Sequence, residues 1–313
     1  MKDLKQIHFL LMGTPELARD VFQSIHQAGY QIVGLVCQPD TLTGRDKTWT
    51  KPPTKIWAEA NHIPVFQPEK IKEDHQFLND LDVDYILTLA YGQIVPQRVL
   101  DKPRFGAFNF HGSLLPKYRG ASPIRYALIH QEKETGMTLM KMVMAMDAGP
   151  IYAMKRLPIL PEDNYTSLLQ RFSTFTSQFA LQVLPRLCRG ELSPIAQIEK
   201  DVTFAPSIKK EDEHLNLNLS IDAIMGWIKG LADVPGGFFQ FQDKKLKVFQ
   251  ASIVNRVQLH PVGTLIKVNH EVVHLQVKGG VLNLIQVQLE GKGKMLGAVF
   301  GNGHQQMLGQ KLT

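Results

Sequence analysis

The first half of the chain alternates short apolar runs with segments of helical periodicity, and this alternation restricts the fold more than any other feature. The apolar runs lie at residues 7–13, 30–37, 83–90 and 105–111. The helical patterns between them lie at residues 15–30, 52–63 and 74–81. Strands that are apolar along their whole length belong to parallel sheets covered by helices on both faces. We therefore expect a doubly wound α/β domain with a mostly parallel sheet.

The second half changes character near Gly190. Before it, two further strands at 135–142 and 149–159 and a helix at 166–188 complete the first domain, which we place at residues 1–189. A stretch rich in proline and charge then predicts a linker at 190–208. Residues 209–313 contain one helix pattern and five short strands with turn signals, which predicts a small, OB-like β-barrel as a C-terminal domain.

Composition narrows the class of protein. The 313 residues are 44% hydrophobic and 20% charged, enough for a sizeable core, and no run approaches the roughly 18 consecutive apolar residues that a membrane helix needs. We expect a soluble, cytoplasmic protein with no membrane partner. Cys37 and Cys188 match no metal-ligand spacing, which predicts free thiols and no metal site.

The net charge of +6 suits a polyanionic partner, although charge alone is weak support for one. Four of the six net positive charges fall in residues 206–313, so the C-terminal part is the more basic.

The turn "LLMGTPELA" after the first strand contains a single glycine, Gly13. A dinucleotide-binding turn needs three glycines at fixed spacing, so we do not expect NAD. A tight turn with a helix beginning at Pro15 explains these residues better.

The stretch "FNFHGSLLPKYRGASPI", residues 108–124, places Asn109 and His111 at the end of a strand. Side chains two residues apart in a strand point to the same face, so the two can converge on one atom. An amide N–H and an imidazole N–H directed at one point stabilise an oxygen that gains negative charge, as in acyl transfer. The alternative is that both polar side chains only satisfy backbone groups of the following loop.

The segments "LMGTPELA", "LAYGQIVP", "FNFHGSLLP", "AMDAGPIY" and "TFAPSIKKED", in this order, resemble the formyltransferase family that uses 10-formyltetrahydrofolate. The resemblance covers essentially the whole chain, and it is greatest to the members that formylate methionyl-tRNA. It implies transfer of the formyl group of 10-formyltetrahydrofolate to the amino group of initiator methionyl-tRNA, for translation initiation. It also implies a monomer that uses no metal.

The resemblance makes Asn109, His111 and Asp147 the catalytic residues. Asn109 and His111 would donate to the oxyanion of the tetrahedral intermediate, while Asp147 would hold His111 and help to remove the amine proton. Taken alone, an aspartate in a turn such as "DAGP" more often caps the turn than takes part in catalysis.

The resemblance also implies a folate site. Its residues follow two neighbouring strands: Leu89, Ala90, Tyr91, Gly92, Gln93 and Ile94, and Ser113, Leu114, Leu115 and Pro116. A flat heterocycle needs apolar walls with a few fixed polar groups, which these segments could supply. Leu114 and Leu115 could instead be ordinary core anchors of their loop.

The loop at residues 39–55 carries Arg45, Lys47 and Lys51 around Trp49. Basic residues interleaved with an aromatic suit unpaired nucleic acid, although a solvated surface loop has the same composition. The resemblance implies that this loop meets the acceptor end of the tRNA, that Arg45 reads the weak first base pair of the initiator, and that the C-terminal domain binds tRNA. Asp46 departs from the small residue that the family usually has there.

Two other functions share the residues Asn109, His111 and Asp147: N-formylation of a sugar nucleotide and hydrolysis of formyltetrahydrofolate. Neither requires the basic loop or the basic C-terminal domain. An RNA-binding protein with an inactive folate fold is a third alternative, and the intact catalytic residues argue against it.

Overall fold

The computed structural model describes residues 6–43 and 48–313, which form two compact units. The first unit comprises the described residues up to Pro123, then Glu134–Pro158 and Leu169–Pro206. The second comprises Ile124–Lys133, Ile159–Leu168 and Ser207–Thr313.

Nine strands and five α-helices lie in the part of the chain described before residue 190. The strands are β1 (His8–Gly13), β2 (Gln31–Val36), β3 (Thr41–Thr43), β4 (Thr48–Thr50), β5 (Val65–Phe66), β6 (Tyr85–Leu89), β7 (Gly106–His111), β8 (Glu134–Lys141) and β9 (Ile151–Pro158). The helices are α1 (Glu16–Gln27), α2 (Pro53–Ala60), α3 (Gln97–Leu100), α4 (Pro123–Ile129) and α5 (Tyr165–Cys188).

Seven of these strands form one sheet in the order β5-β2-β1-β6-β7-β8-β9. The first five strands in this order, β5, β2, β1, β6 and β7, are parallel to one another. β8 pairs antiparallel with β7, and β9 pairs antiparallel with β8. The predicted mostly parallel sheet is confirmed. The central strand β6 is buried at every position and the edge strand β9 is mostly half-buried, which agrees with the continuous apolar run in the former.

The first unit differs from the sequence prediction in several elements, among them one helix and one pair of strands. The helix expected at 74–81 is a short 3₁₀ helix, Gln76–Asp80, in which only Leu78 is buried. Asn79 and Asp80 offer side-chain oxygens that compete with the helical backbone, which favours such a short turn. Strands β3 and β4 form a hairpin that the composition of the basic loop did not indicate.

Gly13 allows the end of β1 to lie close against its neighbours. A Cβ at this position would stand 2.5 Å from the carbonyl oxygen of Leu89 and 2.8 Å from the Cβ of Ala18. Close packing of the strand end against β6 and α1 therefore explains the glycine without a nucleotide.

The second unit contains six strands and the helices α6 (Ile221–Leu231) and α7 (Gly297–Gly303), together with most of α4. The strands are β10 (Gly237–Phe241), β11 (Lys244–Asn255), β12 (Leu265–Val268), β13 (Val273–Val277), β14 (Gly280–Leu289) and β15 (Met295–Leu296). They pair antiparallel in the order β10-β11-β14-β13-β12, with β15 beside β14. Phe239, Leu275, Leu284 and Phe300 lie fully buried in the core of this unit.

The antiparallel C-terminal sheet is confirmed. Its strand order is linear, from β10 at one edge to β12 at the other, and closure into a barrel remains a prediction. Residues 310–313 form backbone hydrogen bonds with residues on both sides. Gln240 on β10 exchanges two backbone hydrogen bonds with Thr313, of 2.7 and 2.9 Å. On the other side, Leu312 donates to the carbonyl oxygen of Gly263 and Leu265 on β12 donates to that of Gln310.

Candidate active site

The site lies where β7 ends, between a parallel and an antiparallel neighbour. Asn109 is paired with Thr88 on β6 and with Met140 on β8, and His111 is paired with Thr138 on β8. The carboxyl ends of parallel strands are where open α/β sheets place ligands. β7 thus presents Asn109 and His111 two residues apart, on one face, as the strand periodicity predicted.

Asp147 comes from the loop between β8 and β9 and meets both of these side chains. The Nδ2 of Asn109 donates to Oδ1 of Asp147 over 3.4 Å, and Nδ1 of His111 lies 3.5 Å from the same oxygen. The His111 side chain is only 5% exposed and that of Asp147 is 13% exposed. The three predicted catalytic side chains therefore converge on one small region with limited access to solvent.

The other ring nitrogen of His111 has a backbone partner. Nε2 lies 2.8 Å from the carbonyl oxygen of Tyr118, and because a carbonyl can only accept, Nε2 carries a hydrogen. This arrangement leaves Nδ1 as the nitrogen that faces Asp147. The backbone thereby sets which ring nitrogen faces the carboxylate.

Asp147 is held in a left-handed conformation, with φ of 51°. Its second carboxylate oxygen, Oδ2, accepts a hydrogen bond of 2.8 Å from the backbone N–H of Gly120. Aspartate is among the residues that tolerate this region best, and the bond to Gly120 fixes the direction of the carboxylate. Sequence reasoning missed Tyr118 and Gly120, because their role depends on backbone groups that any residue type would supply.

Comparison with known proteins shows the family of the chain. Residues 5–184 match the Formyl transferase family, and residues 207–305 match the family described as Formyl transferase, C-terminal domain. Methionyl-tRNA formyltransferase of Dictyoglomus thermophilum is 38% identical over 308 residues, which cover 96% of this chain and 98% of that protein. The chain belongs to the methionyl-tRNA formyltransferase family.

A second relative and two solved structures show the same family and the same fold. Methionyl-tRNA formyltransferase of Enterococcus faecalis is 35% identical over 96% of this chain and 97% of its own length. Among solved structures, the N-formyltransferase of Helicobacter canadensis, in complex with folinic acid and dTDP-3-aminofucose, has a TM-score of 0.66 at 17% identity, over 89% of this chain and 99% of its own. HypX of Aquifex aeolicus in complex with tetrahydrofolic acid has a TM-score of 0.64 at 15% identity, over 94% of this chain and 46% of its own. At these identities the two structures show the shared fold.

The first predicted folate segment of this formyltransferase begins at Leu89, the last residue of β6. Leu89 and Tyr91 are buried, whereas Ala90, Gly92 and Ile94 are exposed, with Ile94 at 69%. The carbonyl oxygen of Tyr91 accepts from Thr14 Oγ1 (3.1 Å) and from Gln38 Nε2 (3.0 Å). Burial raises the pKa of the Tyr91 hydroxyl far above its ordinary value, so the side chain is neutral. The residues of this segment open to a ligand are Ala90, Gly92 and Ile94.

The side chain of Gln93 connects this segment to residues 68–71. Its Nε2 donates to the carbonyl oxygens of Pro68 (3.2 Å) and Glu69 (3.1 Å), and its Oε1 accepts from the backbone N–H of Ile71 over 2.8 Å. The Gln93 amide is thus engaged in holding a neighbouring loop.

The second predicted folate segment follows β7. Ser113 and Leu115 are buried, and Leu114 and Pro116 are half-buried. Ser113 Oγ donates to the carbonyl oxygen of Lys117 over 2.6 Å, and Thr138 Oγ1 donates to the carbonyl oxygen of Ser113 over 2.7 Å. The buried pair shapes the loop, so Leu114 and Pro116 are its members that reach the surface.

The predicted tRNA-binding residues are only partly described. Arg45 and Lys47 lie outside the described residues. Lys51 forms an ion pair of 2.7 Å with Glu59, which raises the pKa of its ammonium group. Trp49 on β4 is 70% exposed, as expected of an aromatic side chain available for stacking.

Within residues 6–43 and 48–313, no group of three or more His, Cys, Asp or Glu side chains is arranged to hold a metal ion. In that same part of the chain no helix combines the length and the apolar character needed to cross a membrane.

Proposed function

We infer that this enzyme transfers the formyl group of 10-formyltetrahydrofolate to the amino group of methionyl-tRNA. The observation that carries the inference is the convergence of Asn109 and His111 on Oδ1 of Asp147, over 3.4 and 3.5 Å, in a chain that matches methionyl-tRNA formyltransferases over almost its whole length. Membership of the family identifies the reaction, and the geometry supports these residues as its machinery.

The reaction needs an amine made nucleophilic and an oxyanion made stable. The amino nitrogen forms a bond to the formyl carbon, and the carbonyl oxygen takes up negative charge. The bond from carbon to N10 of the folate then breaks, N10 takes a proton, and the amine loses one. The products are N-formylmethionyl-tRNA and tetrahydrofolate.

We assign these tasks to three atoms. Asn109 Nδ2 has two hydrogens, one directed at Asp147 and one available to the oxyanion. His111 Nδ1, whose partner Asp147 is 3.5 Å away, can donate to the same oxyanion when it is protonated. Asp147 Oδ1 accepts the amine proton, directly or through a water. Fixed donors in a site with little solvent are worth more than the same groups in water.

The remaining assignments follow the family. The folate ring would lie against the exposed parts of the two loops, chiefly Ala90, Gly92, Leu114 and Pro116. Arg45, Lys47 and Lys51 would contact the acceptor end of the initiator. We propose residues 1–189 as the catalytic domain, 190–208 as a linker and 209–313 as a tRNA-binding barrel, in a cytoplasmic monomer.

The test is formylation of radiolabelled initiator methionyl-tRNA by the purified protein with 10-formyltetrahydrofolate, scored as formylmethionine. A dTDP-linked amino sugar serves as the competing acceptor, and release of formate without acceptor measures hydrolysis. We expect formylmethionine with the tRNA and neither of the other products at a comparable rate. Preferential formylation of the sugar, or hydrolysis alone, would overturn the proposal.

Arg45→Ala tests how the initiator is recognised. If Arg45 reads the open first base pair, the variant should lose about 1 to 3 kcal/mol of discrimination against a tRNA with a strong first pair, the scale of a base-directed contact. An equal loss on both tRNAs would make Arg45 a phosphate contact.

A further inference from the structure

Residues 195–205, here called the bracing segment, run across both loops that hold the catalytic side chains. This segment lies within the stretch predicted as a linker, yet in the first unit it is hydrogen-bonded to residues 118–122 and to the loop between β8 and β9. One end of it forms a short antiparallel bridge, Ile195 to Ile151, at the start of β9.

Thr203 fixes the turn that holds His111. Its Oγ1 accepts from the backbone N–H of Tyr118 over 2.9 Å, and its carbonyl oxygen accepts from that of Arg119, also over 2.9 Å. Ala205 continues the pairing, since its N–H donates to the carbonyl oxygen of Arg119 over 2.8 Å. The carbonyl of Tyr118, which receives the Nε2 hydrogen of His111, is therefore on a backbone held by the bracing segment.

Gln197 fixes the loop that holds Asp147. Its Nε2 donates to the carbonyl oxygens of Asp147 (2.7 Å) and Gly149 (2.8 Å), which uses both amide hydrogens. Its Oε1 accepts from Nε of Arg119 over 3.0 Å, and Arg119 is 6% exposed and also paired with Glu199. One amide side chain thus connects the Asp147 loop with the turn beside His111.

The two backbone positions held in this way are strained. Tyr118 has φ of 63° and Asp147 has φ of 51°, and neither is glycine. Such conformations are uncommon for residues other than glycine and persist where the surroundings impose them. Here the hydrogen bond with Thr203 holds Tyr118, and the hydrogen bond with Gln197 holds Asp147.

We propose that Gln197 and Thr203 are positioning residues for formyl transfer, holding Asp147 and the Tyr118 carbonyl so that the carboxylate and His111 keep their mutual geometry. Neither side chain needs to touch substrate. The inference rests on the proposed function, because its kinetic effect is defined for formylation of methionyl-tRNA.

Two pairs of variants separate hydrogen bonding from packing. Thr203→Val keeps the shape and removes the acceptor for Tyr118, whereas Thr203→Ser keeps the acceptor. Gln197→Glu keeps an oxygen for Arg119 and cannot donate to Asp147 or Gly149, whereas Gln197→Met removes all three bonds. Lys200→Ala, on an exposed residue of the same segment, is the surface control.

We expect Thr203→Val, Gln197→Glu and Gln197→Met to lower kcat about 10- to 100-fold, the scale of a misplaced catalytic group, with KM for folate and for methionyl-tRNA nearly unchanged. Thr203→Ser and Lys200→Ala should retain the wild-type kcat. Thermal unfolding of each variant shows whether the protein still folds. Unchanged kcat in Thr203→Val and Gln197→Glu, a loss confined to KM, or an equal loss in Thr203→Ser would overturn the proposal.

A spectroscopic measurement keeps this test separate from the proposed function. The Nε2–H of His111 should give a slowly exchanging imidazole proton signal in wild-type protein, and Thr203→Val should broaden it by loosening the Tyr118 carbonyl. If wild-type protein does not formylate methionyl-tRNA, the proposed function fails while this signal still tests the bracing. If wild-type protein is active and the signal is the same in Thr203→Val, the bracing role fails alone.

Discussion

The backbone N–H of Gly120 donates to Oδ2 of Asp147 over 2.8 Å, only two residues after Tyr118, whose carbonyl accepts the Nε2 hydrogen of His111. A single turn therefore orients both members of the His111–Asp147 pair. Because each contact uses a backbone group, the relative position of imidazole and carboxylate depends on the conformation of residues 118–120 and not on their side chains.

Removal of either proposed oxyanion donor should reduce formyl transfer. In the proposed mechanism Asn109→Ala and His111→Ala would each delete a hydrogen-bond donor at the site of charge development, so we expect kcat to fall about 10²- to 10³-fold, as at other oxyanion sites. Initial rates with saturating folate and methionyl-tRNA measure this. Folate affinity, measured by fluorescence quenching, is the control and should change little. A variant with near wild-type kcat would remove that residue from the catalytic group.

Substitution of Gly120 should impair both stability and catalysis. Gly120 has φ of 124°, and a Cβ there would lie 2.6 Å from the carbonyl oxygen of Ala205. Gly190→Ala is the matched control, because Gly190 also has a positive φ, of 70°, with no heavy atom within 4 Å of its Cβ position. We expect Gly190→Ala to cost about 1 kcal/mol in the free energy of unfolding, from backbone strain alone. Gly120→Ala should cost more and also lower kcat. Equal losses of stability, by urea unfolding, would show that the Ala205 contact relaxes freely.

Lys51 provides a test of tRNA contact within the described residues. If it neutralises a phosphate, Lys51→Ala should reduce the slope of log K against log salt by about 0.7 to 0.9, the value for one phosphate contact. Glu59→Gln removes the ion-pair partner but keeps the cation, so it should leave the slope unchanged. Filter binding of initiator tRNA over a range of salt concentrations measures both. An unaltered slope in Lys51→Ala would place Lys51 outside the interface.

The two cysteines should resist alkylation in the folded protein. Burial raises the pKa of the Cys37 thiol from 9.0 to about 11 and that of Cys188 from 9.0 to about 12. Between pH 9.0 and about 11 the Cys37 thiol therefore stays protonated in the folded protein, whereas it ionises in the unfolded chain. The contribution of the neutral, buried thiol to the free energy of unfolding is fully present below pH 9.0 and is lost as the pH rises towards 11. Iodoacetamide at pH 8, followed by mass spectrometry, should modify both residues in urea and neither quickly in native buffer. Rapid native labelling of Cys37 would contradict its burial.

Much of the fold follows from local pattern. The continuous apolar runs of β1, β6 and β7 are typical of strands in a parallel sheet, whose two faces are both covered. The 3₁₀ helix at Gln76–Asp80 and the β3–β4 hairpin did not follow from that pattern. Both are short, and in short elements neighbouring side chains and pairing partners outweigh periodicity.

For the candidate site, the sequence by itself determined that Asn109 and His111 share one face at the end of a strand, since side chains alternate with a period of two. It could not determine that Asp147 meets them, and that placement came from resemblance to a family. Only the tertiary structure decided that Thr203 supports Tyr118 from 85 residues away and that Gln197 supports Asp147 from 50 residues away. These bonds join backbone groups that every residue carries to side chains in a stretch whose composition indicates a loop. The physical reason is that such contacts depend on where the chain returns in space, which no local pattern of residues encodes.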